Sequence, residues 1–299
     1  MKVSRTSLVS AYPVALLGIA SFSIMDMVIK GLTLEIGTFA TLWWRSLIGV
    51  ALAGAMFLWF RNAWPSRAAL RIHLVRGIAT TLMAVLFFWG LARVPMAQAV
   101  ALTFIAPLLS LLLAGMILKE RIGARIVGGS LIAFAGVVVI LAGQARADLG
   151  PEALRGSAAI LCSAMIYAWN IILMRQQAQV AGPLEIAFFQ SAIVSCCFLA
   201  GAPFLAVLPP VSDWHAVLGA AALAFASLML LSWAYARAEA QYLAPVEYTA
   251  LGWAVLFGIT VFHEPVRPLT LVGATMIIAA CLYAARRRPA QPADVEAAI

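Results

Sequence analysis

Three charged residues lie in or beside apolar segments of about 20 residues, a length that can cross a bilayer. They are Asp26, Arg45 and Glu247. A charge at the centre of such a segment costs about 2.5–3.5 kcal/mol, whereas a Leu or Phe there contributes only about 0.3–0.6 kcal/mol. Charges in this setting usually face a partner or a water-filled cavity. We therefore treat Asp26 and Arg45 as candidates for a structural or gating role, and Glu247 as a candidate for substrate binding.

Each of these charges also has a plainer interpretation, which the sequence leaves open. Asp26 precedes Lys30 by four residues, the spacing of an ion pair on one helix face. Arg45 would hold a carbonyl or a carboxylate of the protein rather than a substrate. Glu247 lies near the start of a predicted helix, where the helix dipole stabilises a carboxylate.

A proline interrupts the apolar segment that contains Thr103. Pro107 cannot donate a hydrogen bond to the carbonyl of Thr103, and Ser110 lies on the same helix face. The sequence therefore predicts a kink with a free carbonyl beside polar groups. The alternative is a kink kept only for packing.

Another apolar segment carries a polar stripe of Ser163, Tyr167 and Asn170 at spacings of four and three. A face towards lipid should not contain these residues. They either line a cavity or form hydrogen bonds between helices.

Aromatic residues are abundant, with nine Trp, six Tyr and fifteen Phe. Aromatic walls with a few polar groups suit a ligand with an apolar body and a polar head, although for any single residue packing against lipid or core is the alternative. The candidates for such walls are Trp89, Tyr167, Trp169, Trp233, Tyr235 and Tyr248.

Signals of an enzyme are missing from the sequence. The three His do not cluster, His263-Glu264-Pro265 is not a zinc-protease motif, and no phosphate-binding loop is present. The four Cys lie in apolar segments without zinc or disulfide spacing. We expect no catalytic residue, no metal and no cofactor. The net charge of +8 resides in short connections, so nucleic acid is not an expected partner.

The composition places the chain in lipid. Of its 299 residues 64% are hydrophobic and 11% charged, with a mean hydropathy of +1.00, whereas soluble domains carry about 25% charged residues. The sequence predicts an all-α integral membrane protein with ten transmembrane helices. Their approximate ranges are 10–31, 36–60, 71–92, 95–118, 123–143, 153–174, 184–207, 214–236, 242–262 and 267–285.

The chain repeats itself at a constant offset. Trp89, Arg93 and Glu120 are matched by Trp233, Arg237 and Glu264. Two repeats of five spans each, 1–148 and 149–299, must enter the membrane in opposite orientations because five is odd. Inverted repeats are typical of secondary transporters with a substrate site between them.

The Lys and Arg residues of the predicted connections lie mostly on the side of both termini, and they include Arg67, Arg71 and Arg76. Because positive loops stay inside, both termini are predicted to be cytoplasmic, in the inner membrane of a bacterium.

The repeat resembles the drug/metabolite transporter superfamily with EamA-type repeats, and among its members the aromatic amino-acid exporters. The resemblance covers nearly the whole chain. The second copy departs from the pattern at Ala280, which replaces a glycine, and at His263 and Pro265, which flank Glu264. The residues that carry the resemblance are Trp44-Arg45-Ser46, Lys119-Glu120-Arg121, Gly128, Gly129, Gly136, Glu264 and Gly273.

This resemblance implies a central cavity lined by spans one, three, four, six, eight and nine, with spans five and ten as an outer scaffold. Gly129, Ala133 and Gly136 in span five permit close helix contact, which suits a scaffold or a homodimer face through spans five and ten. Glu120 and Glu264 are expected to be structural or gating residues.

The sequence thus predicts a secondary transporter that exports small metabolites, most of all amino acids including aromatic ones, by alternating access. The rivals are a nucleotide-sugar, phosphate-ester or cationic-drug transporter of the same fold, and a membrane scaffold that transports nothing. The expected substrate-binding residues are Trp89, Gln98, Thr103, Tyr167, Trp169, Asn170, Trp233, Tyr235, Glu247 and Tyr248, and the expected structural or gating residues are Asp26, Arg45, Pro107, Glu120 and Glu264.

Overall fold

The computed structural model describes residues 5–60, 64–117, 124–146, 150–235, 237, 243 and 246–285, and this part of the chain is helical apart from its connections. A short 3₁₀ turn, Val211–Asp213, precedes α10. The helices are α1 (Arg5–Ile36), α2 (Thr38–Phe60), α3 (Arg67–Leu91), α4 (Met96–Thr103), α5 (Ala106–Ile117), α6 (Ala124–Arg146), α7 (Gly150–Ala178), α8 (Pro183–Leu199), α9 (Ala202–Leu205), α10 (Trp214–Tyr235), α11 (Thr249–Thr260) and α12 (Pro268–Ala285).

Six helices in the described part of the chain are long and apolar enough to cross a bilayer. They contain the segments Ala11–Ile36, Thr38–Phe60, Arg67–Leu91, Val127–Ala145, Gly150–Met174 and Val211–Ala234. Shorter apolar helical segments accompany them at Met96–Ser110, Pro183–Leu199, Thr249–Thr260 and Pro268–Tyr283. The chain is therefore an all-α, multi-pass membrane protein.

The predicted span 95–118 is two helices rather than one. α4 ends at Thr103 and α5 begins at Ala106, one residue before Pro107. The hydroxyl of Thr103 donates to the Val100 carbonyl at 2.7 Å, and that of Ser110 donates to the Pro107 carbonyl at 2.7 Å. The interruption that Pro107 predicts is present, and both hydroxyls are occupied by their own helix.

The third helix begins earlier than the sequence indicated. Ser66 caps α3 by accepting a hydrogen bond from the Ala69 amide at 3.1 Å, so Arg67 and Arg71 are helical rather than part of a connection. Arg76 lies in the third turn of α3 and is only 6% exposed. The charge count treated Arg76 only as a cytoplasmic cation, although the predicted span 71–92 contains it, and the structure buries it within the bundle.

The main helix pairs are α1 with α10, α3 with α7, α2 with α8, and α6 with α12. When each helix is replaced by its equivalent in the other predicted half, the α1–α10 pair becomes the α7–α3 pair. The α2–α8 and α6–α12 pairs stay the same, because each joins two equivalent helices. This symmetry of contacts is what a twofold relation between the halves requires.

Two of these pairs show their direction through close contacts. Along α6, Gly136 meets Gly273 of α12, while Gly143, further on, meets Leu269, which lies earlier in α12. Along α2, Ser46 meets Ser195 of α8. Gly54, later in α2, meets the ring of Phe188, which lies earlier in α8. Both pairs of equivalent helices therefore run antiparallel, as an inverted repeat predicts.

The contact between α6 and α12 depends on small residues. A Cβ on Gly136 would lie 2.7 Å from the Gly273 carbonyl oxygen, and one on Gly273 would lie 2.5 Å from that of Gly136. The close helix approach that the glycines of span five predict is thus made within the chain.

Candidate substrate site and gate

The helix connections divide the molecule into two ends. At one end, Glu264 of the α11–α12 connection contacts the last turns of α1 and the start of α4, and we call this the Glu264 end. At the other end, His73 near the start of α3 contacts the end of α7 and the start of α8, and we call this the His73 end.

A buried ion pair joins the helix termini at the Glu264 end. The Lys30 ammonium pairs with the Glu264 carboxylate and donates to the Val94 carbonyl at 3.0 Å. The other carboxylate oxygen of Glu264 accepts from the Met96 amide at 2.7 Å. Lys30 is 2% exposed, so these bonds satisfy its charge away from water. We call the contacts among these four residues the latch.

The connection that carries Glu264 holds it in place through its backbone. His263 adopts a φ of 52°, an uncommon value for a residue with a side chain. The Glu264 amide donates to the Gly258 carbonyl at 2.8 Å. The structural or gating role of Glu264 stays a prediction, and Glu120 lies outside the described residues.

The other predicted charges lie nearby but are not part of the latch. Lys30 pairs with Glu264 rather than with Asp26, so the i, i+4 ion pair is wrong. Asp26 and the guanidinium of Arg45 attract each other across α1 and α2. Arg45 donates to the Met25 sulfur at 3.6 Å, and one oxygen of Asp26 has no hydrogen-bond partner in the described part of the chain.

A cavity of about 410 Å³ opens beside the latch, between the ends of α1 and α3 and the start of α2. Thr33, Phe39, Trp89 and Arg93 contribute to its wall. The Arg93 guanidinium lies 3.6 Å from the centre of the Trp89 ring and binds Glu152 at 3.1 Å. Trp89 therefore lines this cavity, with one face covered by a cation, and its contact with substrate stays a prediction.

The equivalent residues of the second repeat adopt the same arrangement. Arg237 lies 4.0 Å from the centre of the Trp233 ring and donates to the Trp233 carbonyl at 3.2 Å. Arg93 donates to the Trp89 carbonyl at 2.9 Å. The sequence repeat thus produces the same local structure at the ends of α3 and α10. The side chain of Tyr235 is outside the described residues.

At the His73 end a chain of hydrogen bonds runs through the interior. Arg76 donates to the Gln177 side-chain oxygen, and the amide nitrogen of Gln177 lies 2.6 Å from His73 Nδ1. His73 Nε2 lies 3.0 Å from Glu185, and the Phe189 ring stacks on the imidazole. The chain therefore links the start of α8 to Arg76.

Tyr167 of α7 lies next to this chain. Its side chain is 37% exposed, yet its hydroxyl interacts electrostatically with Glu247 and Arg76, which belong to other parts of the bundle. Asn170 lies on the same face, is 4% exposed, and its side-chain oxygen has no partner within the described ranges. Trp169 lies on the opposite face of α7.

Tyr248 packs against the hydrophobic core. Its ring meets the ring of Phe104 edge to face at 5.4 Å, and the Cys281 thiol donates to the Phe104 carbonyl at 3.3 Å. Phe104 follows Thr103 at the break between α4 and α5. The structure therefore brings Tyr248 and the predicted kink together, and Glu247 lies one residue away on the chain.

Gln98 occupies a separate location. It is 1% exposed and donates to Gln144 at 2.9 Å and to Ser157 at 3.1 Å. These residues belong to α6 and α7, so the amide nitrogen of Gln98 joins three helices, while its oxygen has no hydrogen-bond partner among the described residues. The expected substrate-binding residues thus fall into three places in the structure: near Tyr167, near Trp89, and at Gln98.

Two functional candidates escaped prediction from the sequence. Lys30 was treated only as a partner of Asp26, and Arg76 only as a loop cation. A signal existed for Arg76, because it falls inside the predicted span 71–92 and is followed by Gly77 and a long apolar stretch.

Comparisons with known proteins agree with this architecture. The EamA-like transporter family matches residues 9–142 and 154–286. The pseudopaline exporter of Pseudomonas aeruginosa is 25% identical over 284 residues, which cover 92% of this chain and 95% of that protein. The riboflavin transporter of Rhizobium johnstonii is 28% identical over 302 residues, covering 96% and 95%.

An S-adenosylmethionine uptake transporter of Rickettsia prowazekii is 25% identical over 271 residues, covering 90% of each chain. One crystal structure shares the fold with a TM-score of 0.60 at 22% identity, covering 94% of this chain and 98% of that one. Since the family matches both halves of the sequence, the chain belongs to the EamA-like transporter family of the drug/metabolite transporter superfamily and is a membrane transporter rather than an enzyme.

Proposed function

We propose that this transporter exports small zwitterionic metabolites, most of all amino acids including aromatic ones. The observation that carries the proposal is the environment of Tyr167, which combines an accessible aromatic ring with the carboxylate of Glu247. An aromatic wall suits an apolar side chain, and a carboxylate suits an ammonium group. Asn170 lies on the same face of α7 as Tyr167, and Tyr248 follows Glu247 in the chain.

The proposed mechanism is alternating access between two inverted halves, each with five spans, so that ten helices cross the membrane. The latch ties α1 to the start of α4 and to the α11–α12 connection, which closes the Glu264 end. Substrate would therefore enter from the His73 end. Because Arg67 and Arg71 lie at that end, we assign it to the cytoplasm of a bacterial cell, together with both termini.

The named relatives support a small organic substrate without fixing its class or the direction of transport. Their names describe a pseudopaline exporter, a riboflavin transporter and an S-adenosylmethionine uptake transporter. Riboflavin and S-adenosylmethionine both carry planar heteroaromatic rings, which stack well on Tyr and Trp. Export of amino acids is our inference from the resemblance to aromatic amino-acid exporters and from the site.

The test is transport of labelled phenylalanine in proteoliposomes by Trp89→Ala, Tyr167→Ala and Tyr248→Ala. Loss of one aromatic contact costs about 0.5–1.5 kcal/mol beyond buried area, so we expect an increase in KM of roughly two- to tenfold for each variant that contacts substrate. Trp59→Ala is the control, because Trp59 is 81% exposed on the outside of α2. Unchanged transport by all three variants would refute the aromatic site.

A phosphate-ester or nucleotide-sugar substrate is the second candidate, and the buried Arg76 is the observation that favours it. Arginine binds phosphate as well as carboxylate. Transport of a labelled nucleotide sugar that unlabelled amino acids do not inhibit, without transport of labelled phenylalanine, would replace our first proposal by this one.

A further inference from the structure

The guanidinium of Arg76 lies inside the bundle with no anion to neutralise it among the described residues. Arg76 is only 6% exposed. It forms no ion pair in this part of the chain, and its Nε has no hydrogen-bond partner there. Burial of an ionised group is costly unless it is paired. A site that keeps such a cation is prepared to receive an anion.

The orientation of Arg76 is fixed from behind. Because Gln177 accepts from Arg76 through its oxygen, its amide nitrogen faces His73 Nδ1 at 2.6 Å. Nδ1 must then accept, so the proton of the imidazole resides on Nε2 and is donated to Glu185 at 3.0 Å. Gln177 and His73 are thus positioning residues, which occupy one Nη1 hydrogen of Arg76 and leave Nε unbonded.

Groups of opposite charge act on Tyr167. Tyr167 and Gln177, the hydrogen-bond partner of Arg76, both belong to α7, which packs along α3. The positive charge of Arg76 and the negative charge of Glu247, which precedes α11, both act on the Tyr167 hydroxyl. A zwitterion carries the complementary pair of charges.

We propose that Arg76 binds the carboxylate of the substrate while Glu247 receives its ammonium group and the Tyr167 ring contacts its side chain. This inference rests on the proposed amino-acid transport and adds its recognition chemistry. The planar guanidinium offers parallel N–H donors from Nε and an Nη, which match the two oxygens of a carboxylate. A substrate without a carboxylate would leave Arg76 as it is in the structure.

The experiment compares phenylalanine with phenethylamine, which keeps the ring and the ammonium but lacks the carboxylate. In proteoliposomes, Arg76→Gln should reduce kcat/KM for phenylalanine by roughly 10- to 100-fold, the range for a hydrogen bond to a charged group. Its transport of phenethylamine should fall much less, so the ratio between the two substrates changes. Arg76→Lys should lie between Arg76→Gln and the unmodified protein, because it keeps the charge without the planar fork.

Arg71→Gln is the matched control, since Arg71 is exposed on the same helix, and it should leave the substrate ratio unchanged. If Arg76→Gln lowers transport of both compounds equally, or leaves the ratio unchanged, Arg76 has a packing role and the inference is wrong. If the unmodified protein transports neither phenylalanine nor any other amino acid, the proposed function itself fails and this assignment falls with it.

Discussion

At the scale of single residues, the latch depends on the charges of Lys30 and Glu264. A Lys that is 2% exposed gains two partners, the Glu264 carboxylate and the Val94 carbonyl, and these together compensate for its loss of water. Removing one member of a buried pair leaves the other charge unpaired, which is far more costly than removing both.

Lys30→Met and Glu264→Gln should therefore each destabilise the protein, and the double variant should be less destabilised than the sum of the two. We expect each single change to cost about 3 kcal/mol, the lower end for a broken buried pair, because Glu264 keeps 20% exposure. Thermal unfolding in detergent measures all four proteins as a double-mutant cycle. Additive effects would show that the two charges do not interact.

Gln98 provides the opposite case, a residue expected at the substrate that the structure places in packing. Gln98→Leu removes its bonds to Gln144 and Ser157, so we expect a loss of about 1–3 kcal/mol in stability with KM for substrate unchanged. Gln176→Leu, at an exposed position, is the control. A raised KM at normal stability would return Gln98 to the substrate site.

The sequence could name candidate residues but not their partners. Tyr167 and Asn170 were singled out because polar side chains at helical spacing stand out in an apolar segment, and their contact with substrate stays a prediction. The pairing of Lys30 with Glu264 joins residues from opposite halves of the chain, and no local pattern encodes such a contact. Arg76 was misassigned because a cation near a helix start looks the same in sequence whether it faces water or the bundle.

At the scale of elements, the contact between α6 and α12 is the one that tolerates least change. Gly273→Ala would place a Cβ 2.5 Å from the Gly136 carbonyl oxygen, an atom of the backbone that cannot rotate away. We expect a loss of about 1–3 kcal/mol, the usual cost of overpacking, seen as a lower midpoint of unfolding in detergent.

The control for that change is Gly252→Ala in α11, where an added Cβ meets nothing within 4 Å. Alanine there should be neutral or stabilise by about 0.4–1 kcal/mol through reduced freedom of the unfolded chain. A stable Gly273→Ala protein would mean that the two helices are further apart than the structure indicates.

Element positions followed well from the sequence where the apolar run was long and poorly where it was interrupted. The span 36–60 corresponds to α2 within two residues, because glycine and an apolar stretch define its ends. The span 95–118 is two helices, since Pro107 removes a hydrogen bond and hydropathy alone does not register the break.

A homodimer through α6 and α12 stays a prediction, and α6 still exposes Leu131 and Phe134 on its outer face.

At the scale of the whole molecule, the repeat relates what happens at the two ends. The latch joins Lys30 near the end of α1 to the α3–α4 and α11–α12 connections, and Glu120 is the equivalent of Glu264 in the sequence of the first half. An inverted repeat predicts that equivalent positions of the two halves lie at opposite faces of the membrane. Alternating access then requires that the latch at the Glu264 end opens when the His73 end closes.

Labelling of single cysteines tests both the access state and the orientation. In a protein with Cys162, Cys196, Cys197 and Cys281 replaced by Ser, a cysteine at Arg71 should react with a membrane-impermeant maleimide only from the cytoplasmic face. A cysteine at Arg155, which is exposed at the Glu264 end, should react only from the other face. The reverse pattern at both positions would invert the proposed topology.

With the topology fixed by those two positions, Tyr167→Cys reports which end of the central space is open. While the latch is intact, this cysteine should react from the cytoplasmic face, because the Lys30–Glu264 pair closes the opposite end.

Adding Lys30→Met removes about 3 kcal/mol from the closed latch, enough to shift the equilibrium between access states on the order of 100-fold. Reaction from the opposite face should then become measurable, and saturating phenylalanine should protect the cysteine in both proteins if substrate occupies the same space. Equal reactivity from both faces before the latch is broken would contradict a closed Glu264 end, since a residue between the halves can be open to only one side at a time in an alternating-access carrier.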